Sequence, residues 1–388
     1  MSAPREIYAD HAATTRPAAE VVEAMRPYFA ERFGNASSVH RRGEAARDAI
    51  ESARARVASL IGAALEEIVF TASGSEANNL ALRGAMAVAA SGRRRLVVSA
   101  IEHPSVLETA RVLQAHGVEL SIAPVGRDGV VDLAALETLM GDDVALVSLM
   151  AVNNETGVIQ PVEAASRLAH AAGARLHVDA VQALGKLPVD VGAWGVDLLS
   201  LAGHKFHGPP GAAALFVRRR TRLEPLIHGG HQERSRRAGT EDLPAIVGLG
   251  VAAERAALGE RTRVNALGAR LLEALEAEVP GTRLHGTRDD RLPSILNVGF
   301  EGIDGEAMLH ELDLEGITVS TGSACSAASP GPSHVLLAMG LTPEQAHASV
   351  RFSLGESNGE ADVERIVDVV RSVTRRLRAL DSPMERSA

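Results

Sequence analysis

The chain has 388 residues, is 46% hydrophobic and 23% charged, and carries a formal net charge of −9. That length can bury an ordinary core in two or three structural units, the composition excludes disorder, and the acidic balance argues against a nucleic-acid-binding surface. No apolar run reaches bilayer length, the start lacks a signal-peptide core, and the single cysteine, Cys325, excludes an intrachain disulfide or an all-cysteine metal site; a soluble, cytoplasmic protein is expected.

Residues 8–15 read as an irregular polar arm. A helical pattern over 18–29, a loop at Gly34 and Asn35, and a charged helix over about 42–60 follow. Short apolar runs then recur at 68–71, 96–100, 118–123, 144–150, 176–179, 196–201 and 212–217. Helix-like segments separate most of them, with the clearest spacing at 132–140 and 161–172. This alternation predicts an α/β fold built on a mainly parallel seven-stranded sheet, whose last two strands are too close for a helical crossover and so run antiparallel. From 225 the texture changes to a Gly- and Arg-rich loop over 228–240 and a helix striped by Val264, Leu267, Leu271 and Leu275. A smaller α+β unit is expected beyond it, with strands near 295–300 and 350–354, a helix near 305–312, a loop over 321–332 and a last helix. The predicted organisation is an arm over 1–15, a large domain over 16–255, and a small domain over 256–388 that carries the Cys325 loop.

In open parallel sheets ligands collect beyond the carboxyl ends of the strands. The run over 196–201 leads into Gly203, His204, Lys205, Phe206, His207, Gly208 and Pro209, a sharp turn that suits a Schiff-base amine better than a solvated lysine, so Lys205 is assigned to pyridoxal phosphate. The run ending at Thr71 opens a helix through Ser73, Gly74 and Ser75, either a phosphate site or simply a serine cap. Glu102 and His103 follow the next run, Asn153, Asn154 and Glu155 a later one. Asp179, with Gln182 one turn on, lies one strand-helix-strand step before Lys205. Asp179 either ends its strand as a cap or holds a pyridine nitrogen protonated; His103 either closes a strand or stacks on the ring and moves protons. Phosphate site, imidazole, amide, acid and lysine at five strand ends form a stronger set than any one of them.

The chain resembles the cysteine desulfurases of the NifS/IscS type, within the class-V aminotransferases of fold-type I. The resemblance rests on Asp10 to Thr15, Phe33 to Asn35, Thr71 to Asn79, Glu102 with His103, Val152 to Gly157, His177 to Gln182, Gly203 to Pro209, Arg237 to Thr240, Ser323 to Ser326 and Val350 to Gly355. It implies that Lys205 carries the cofactor, Asp179 pairs with its ring nitrogen, His103 stacks and Gln182 bonds the ring hydroxyl. Gly74, Ser75 and His204 would cradle the phosphate, with Thr240 arriving from the other subunit of a homodimer. Asn154 and Arg351, helped by Asn35, would hold the carboxylate of L-cysteine. The resemblance departs at Ala202, where members of the family carry a serine, so one hydroxyl toward the phosphate is missing.

Cys325 lies in Ser320 to Ser333, almost devoid of bulky side chains. A cysteine there is either a small hydrophobe or, since such a segment cannot pack a core, a nucleophile on a mobile surface loop. The resemblance implies the second: its thiolate takes sulfur from the bound amino acid, leaving alanine and a persulfide for an iron-sulfur scaffold or a tRNA-thiolation carrier. His204 with His207 and His228 with His231 have metal-like spacing without a fitting acid or cysteine. No intrinsic metal is expected, and Cys325 alone could ligate a cluster transiently in a complex. Rival readings are a selenocysteine lyase or small-molecule aminotransferase, the latter needing no Cys325, and a non-catalytic sulfur-carrier scaffold, which would lack the cofactor set.

Overall fold

The computed structural model describes residues 6–257, 259, 261–321 and 331–381. In chain order the strands are β1 (Ile7–Tyr8), β2 (Ile68–Thr71), β3 (Arg95–Ser99), β4 (Glu119–Ala123), β5 (Val144–Met150), β6 (Arg175–Asp179), β7 (Leu198–Ala202), β8 (Ala213–Val217), β9 (Thr282–Leu284), β10 (Ile295–Phe300), β11 (Ile317–Thr318) and β12 (Ser349–Ser353). The central sheet has seven strands in the order β2-β8-β7-β6-β5-β3-β4. Only β8 runs against its neighbours, antiparallel to both β7 and β2, as the short link after β7 requires. β5 and β7 are buried along their whole length, which is why they read as unbroken apolar runs: helices cover both faces of a parallel sheet.

The helix expected over 18–29 is shorter. It spans Ala19–Met25 and passes into a 3-10 turn, Arg26–Phe29, because Pro27 cannot continue an α-helical hydrogen-bond ladder. The charged helix runs Arg41–Ile61 and ends at Gly62, whose φ of 68° is the left-handed conformation that closes many helices.

A second sheet of three strands, β12-β10-β9, has two unlike faces. Leu296, Val298, Phe300, Val350 and Phe352 pack with residues of the helices Arg261–Glu278, Gly305–Leu314 and Glu360–Asp381 in their own hydrophobic cluster. By strand alternation Asn297, Arg351 and Ser353 share the opposite, polar face. The irregular arm expected over 8–15 is anchored to the rest of the chain. Ile7 and Tyr8 pair in parallel with Ile317 and Thr318, and Ala9, His11, Ala12 and Thr15 are buried. It bridges the two sheets: Ser353 N donates to Ala9 O (2.7 Å), and Thr15 N donates to His204 O (2.8 Å).

Candidate active site

Strands β3, β5, β6 and β7 lie side by side and parallel, so the residues after each meet at one edge. Lys205 closes a single 3-10 turn, Gly203–Lys205, pinned by Phe206 N to Gly203 O (3.0 Å) and Gly208 N to Gly203 O (2.9 Å). A Cβ on Gly208 would stand 2.9 Å from that carbonyl oxygen, so the turn admits only glycine there. Lys205 Nζ donates to the arm carbonyls of Ala12 (2.6 Å) and Ala13 (2.8 Å).

Asp179 is buried at the end of β6. Its Oδ2 accepts from Asn78 Nδ2 (2.7 Å) and its Oδ1 from Val181 N (3.0 Å). Asn78 also donates to Ser105 Oγ (2.9 Å), and Ser105 sits 2.8 Å from His103 Nδ1, so acid and imidazole are wired through two side chains. His103 Nδ1 accepts the Ser105 N–H (3.1 Å), which leaves the proton of the neutral ring on Nε2. Burial holds His103 below its ordinary range; Asp179 opposes the shift, and Lys205 and His334 add to it. Those influences place acid, imidazole and lysine within electrostatic reach of one another. Glu102 beneath them is pushed up to about 8 by burial, and its Oε1 accepts from Ser99 Oγ (2.6 Å) and Met150 N (2.7 Å).

At the anion end, Ser73 caps the helix Gly74–Ala87, accepting from Glu76 N, and both Ser73 and Ser75 are exposed. A Cβ on Gly74 would meet Val181 Cγ2 at 3.0 Å and the Ala202 methyl at 3.4 Å, so helix start and the ends of β6 and β7 are in close contact. His204 Nδ1 lies 3.1 Å from Thr14 Oγ1, and burial together with Lys205 and Lys186 lowers its pKa to about 4. Gln182 Nε2 donates to Ala12 O (2.7 Å). Arg351 is buried; Nη2 pairs with Asp10 Oδ1 (2.6 Å), Nη1 donates to Asn154 O (3.0 Å), and Nε has no partner. Asn35 is exposed and its Oδ1 accepts from Ser37 N in its own turn (2.8 Å); Thr240 is exposed in a loop tied to the helix Gly74–Ala87 by Arg237 Nε and Glu76 Oε1 (2.9 Å). Cys325 lies outside the described residues, so the expected mobile nucleophile loop is not described.

The aminotransferase class-V family matches residues 7–366. The chain belongs to that family. It is 43% identical over 379 residues to a protein named cysteine desulfurase IscS from Dictyoglomus turgidum, covering 97% of this chain and 96% of that one. It is 44% identical over 377 residues to the cysteine desulfurase NifS of Azotobacter vinelandii, covering 96% and 94%. Among solved structures a NifS-like protein superposes with a TM-score of 0.89 at 35% identity, covering 96% of this chain and all of that one. The class-V chain therefore sits with the NifS/IscS-type enzymes, fold-type I proteins that use pyridoxal phosphate. Its donor set fits that cofactor. A buried acid with two donors fixing its oxygens suits a protonated ring nitrogen, a helix start packed against neighbouring strand ends suits a phosphate, and a lysine on a rigid turn suits covalent attachment.

The sequence reading of this class-V site gave no role to three partners, Asn78, Asp10 and Lys186, although Asp10 and Asn78 lie in segments that carry the resemblance. Asn78 had a readable signal, a polar residue one turn into a helix among buried Ala77, Leu80 and Ala81.

Proposed function

We propose that this enzyme is a pyridoxal-phosphate-dependent cysteine desulfurase that converts L-cysteine to L-alanine and leaves a persulfide on Cys325. The observation that supports it best is the Lys205, Asp179 and His103 set after three parallel strands of one sheet, in a chain similar along nearly its whole length to named cysteine desulfurases. Lys205 would hold the cofactor covalently, Asp179 its ring nitrogen, Gln182 its hydroxyl, and Gly74, Ser75 and His204 its phosphate. Bound there, pyridoxal phosphate supplies an electron sink for charge developing at the amino acid's α-carbon.

The chain's own residues divide the remaining work. Arg351 and Asn154 would orient the substrate carboxylate, Arg351 through the edge that includes its unpartnered Nε. With Nδ1 accepting the Ser105 N–H, His103 acts as donor and stacking ring, which leaves Lys205 to take the α-proton. The Cys325 thiolate attacks the substrate sulfur as its bond to carbon breaks. The balance is thiol plus cysteine giving persulfide plus alanine, with no outside oxidant or reductant.

The assembly is read as a cytoplasmic homodimer, divided near residue 255, that hands sulfur to an iron-sulfur scaffold or thiolation carrier. Among the described residues no helix is long and apolar enough to cross a membrane. Val22, Phe29, Phe33 and Val39 are exposed within one stretch that contains Asn35, apolar side chains of the kind a second subunit covers. The twofold partner would then supply Thr240 and bring Asn35 toward a site.

The test is Cys325→Ala beside Lys205→Ala. The first should abolish sulfide release from cysteine while keeping the cofactor's absorbance; the second should lose covalently held cofactor. Undiminished turnover in Cys325→Ala would remove the persulfide step and favour an aminotransferase.

A further inference from the structure

Behind Lys205 stands a second amine that the proposed chemistry does not use. Gln182 and Lys186 follow β6 four residues apart in a helical turn closed by Lys186 N to Ala183 O (3.0 Å), so their side chains share a face. Between them and the Lys205 turn is Gly185, at φ 75°, where a Cβ would stand 2.8 Å from Phe206 Cβ. That close pass carries Lys186 into contact with the turn. Lys186 Nζ donates to Gln182 Oε1 and to Lys205 O, both at 3.2 Å. At its other end the same amide donates through Nε2 to Ala12 O (2.7 Å), the carbonyl that also accepts from Lys205 Nζ (2.6 Å). The two amines thus close a loop through one amide and one arm carbonyl, and the ammonium dictates which end of the Gln182 amide is oxygen.

The surroundings are cationic. Lys186, Lys205, His207, Arg255 and Glu356, with a His11 that burial keeps neutral, line a cavity of about 60 Å³. Glu356, the only acid on that wall among the described residues, accepts from Arg255 Nη1 (3.0 Å) and lies 3.9 Å from His207 Nε2. Arg261 from the helix Arg261–Glu278 completes the positive side, and His204 on the turn also feels the Lys186 charge. The acceptors that hold Lys186 Nζ are an amide and a peptide carbonyl, neither of which neutralises it.

We propose that Lys186 is a positioning residue for the Lys205–cofactor linkage: it fixes the Gln182 amide, and its charge opposes a proton on the Lys205 nitrogen. The inference rests on the pyridoxal-phosphate reading of the site. Burial first, and the charge of Lys205 after it, bring Lys186 down to about 7. A like charge beside a Schiff-base lysine is an established way to activate it.

The experiment compares Lys186→Met and Lys186→Gln, which remove the charge, with Lys186→Arg, which keeps it. Two quantities are read without turnover: the pH midpoint of the visible absorbance of the loaded protein, and the rate at which cofactor-free protein takes up pyridoxal phosphate at pH 7. Neutral variants should move the midpoint upward by about one unit and slow uptake about tenfold; the arginine variant should stay near the wild type. A midpoint unchanged in whichever neutral variant folds overturns the inference. So does an equal shift in the neutral and arginine variants, the mark of a purely structural role. Reduction of loaded wild type followed by peptide mass mapping separates the two readings. Cofactor found away from Lys205 ends the functional reading, whereas cofactor on Lys205 with unmoved midpoints ends this one alone.

Discussion

Asn78 shows what a neighbour does for a reacting group. Its Nδ2 spans Asp179 Oδ2 and Ser105 Oγ, so one amide sets the acid and steadies the residue that orients His103. Asn78→Leu leaves Asp179 with the Val181 N–H alone from that pair. A hydrogen bond to a charged group contributes about 1.5–3 kcal/mol, so affinity for pyridoxal phosphate should fall about ten- to a hundredfold. An absorbance titration of cofactor-free protein measures it, and unchanged affinity would mean that Asp179 needs no such support. Asp179, His103 and Lys205 were legible in the sequence because each follows an apolar run, and sheet geometry gathers such residues whatever their separation. Asp10 and Lys186 were not, because their partners are set by tertiary packing: the Asp10–Arg351 pair joins residues 341 positions apart.

Among the elements, β2 is held at the edge of the large sheet by a buried charge pair that periodicity could not announce. Arg54 Nη1 and Nη2 reach Glu233 Oε2 and Oε1, each at 2.8 Å, and Glu233 Oε2 also accepts from Phe70 N (2.8 Å). Arg54 further donates to Ile68 O (2.9 Å) and lies over the Phe70 ring. Glu233 and Arg234 sit at φ 48° and 55°, left-handed positions that non-glycine residues seldom adopt, and the ion pair holds the loop there. Arg54→Ala strands a buried carboxylate and should cost about 3–5 kcal/mol in denaturant unfolding; a loss below 1 kcal/mol would show that water reaches Glu233. The seven long strands were legible from their apolar runs, with boundaries within about two residues. The paired β1 and β11, at two residues each, and β9, at three, are too short to show a period, so their places come only from what they pack against.

Over the whole molecule, buried titratable groups set how stability responds to pH. His11, His177, His204 and His285 are each lowered to about 4, chiefly by burial. The unfolded chain binds protons there that the fold refuses, so their contribution is complete above about pH 6.5 and is lost as pH falls toward 4. Glu102 and Glu155 are raised by burial to about 8 and about 7; the fold keeps protons that the unfolded chain releases, so their contribution fades as pH rises through those values. Thermal melts should therefore show a steep acid limb, falling as pH drops from about 6.5 toward 4, where the four histidines outweigh the two carboxyls. His177→Gln, which can still meet Ser148 and Ser200, should flatten that limb; an acid limb identical to wild type would show that His177 is not refused a proton. The arm that links the two sheets has one more consequence. Ala12 and Ala13, which hold the Lys205 amine, are kept in place through Ser353, so a nascent polypeptide cannot finish its reaction centre until almost all of it has left the ribosome. Maturation should lag behind synthesis, and bulky fusions ahead of Tyr8 should impair cofactor loading before they impair solubility.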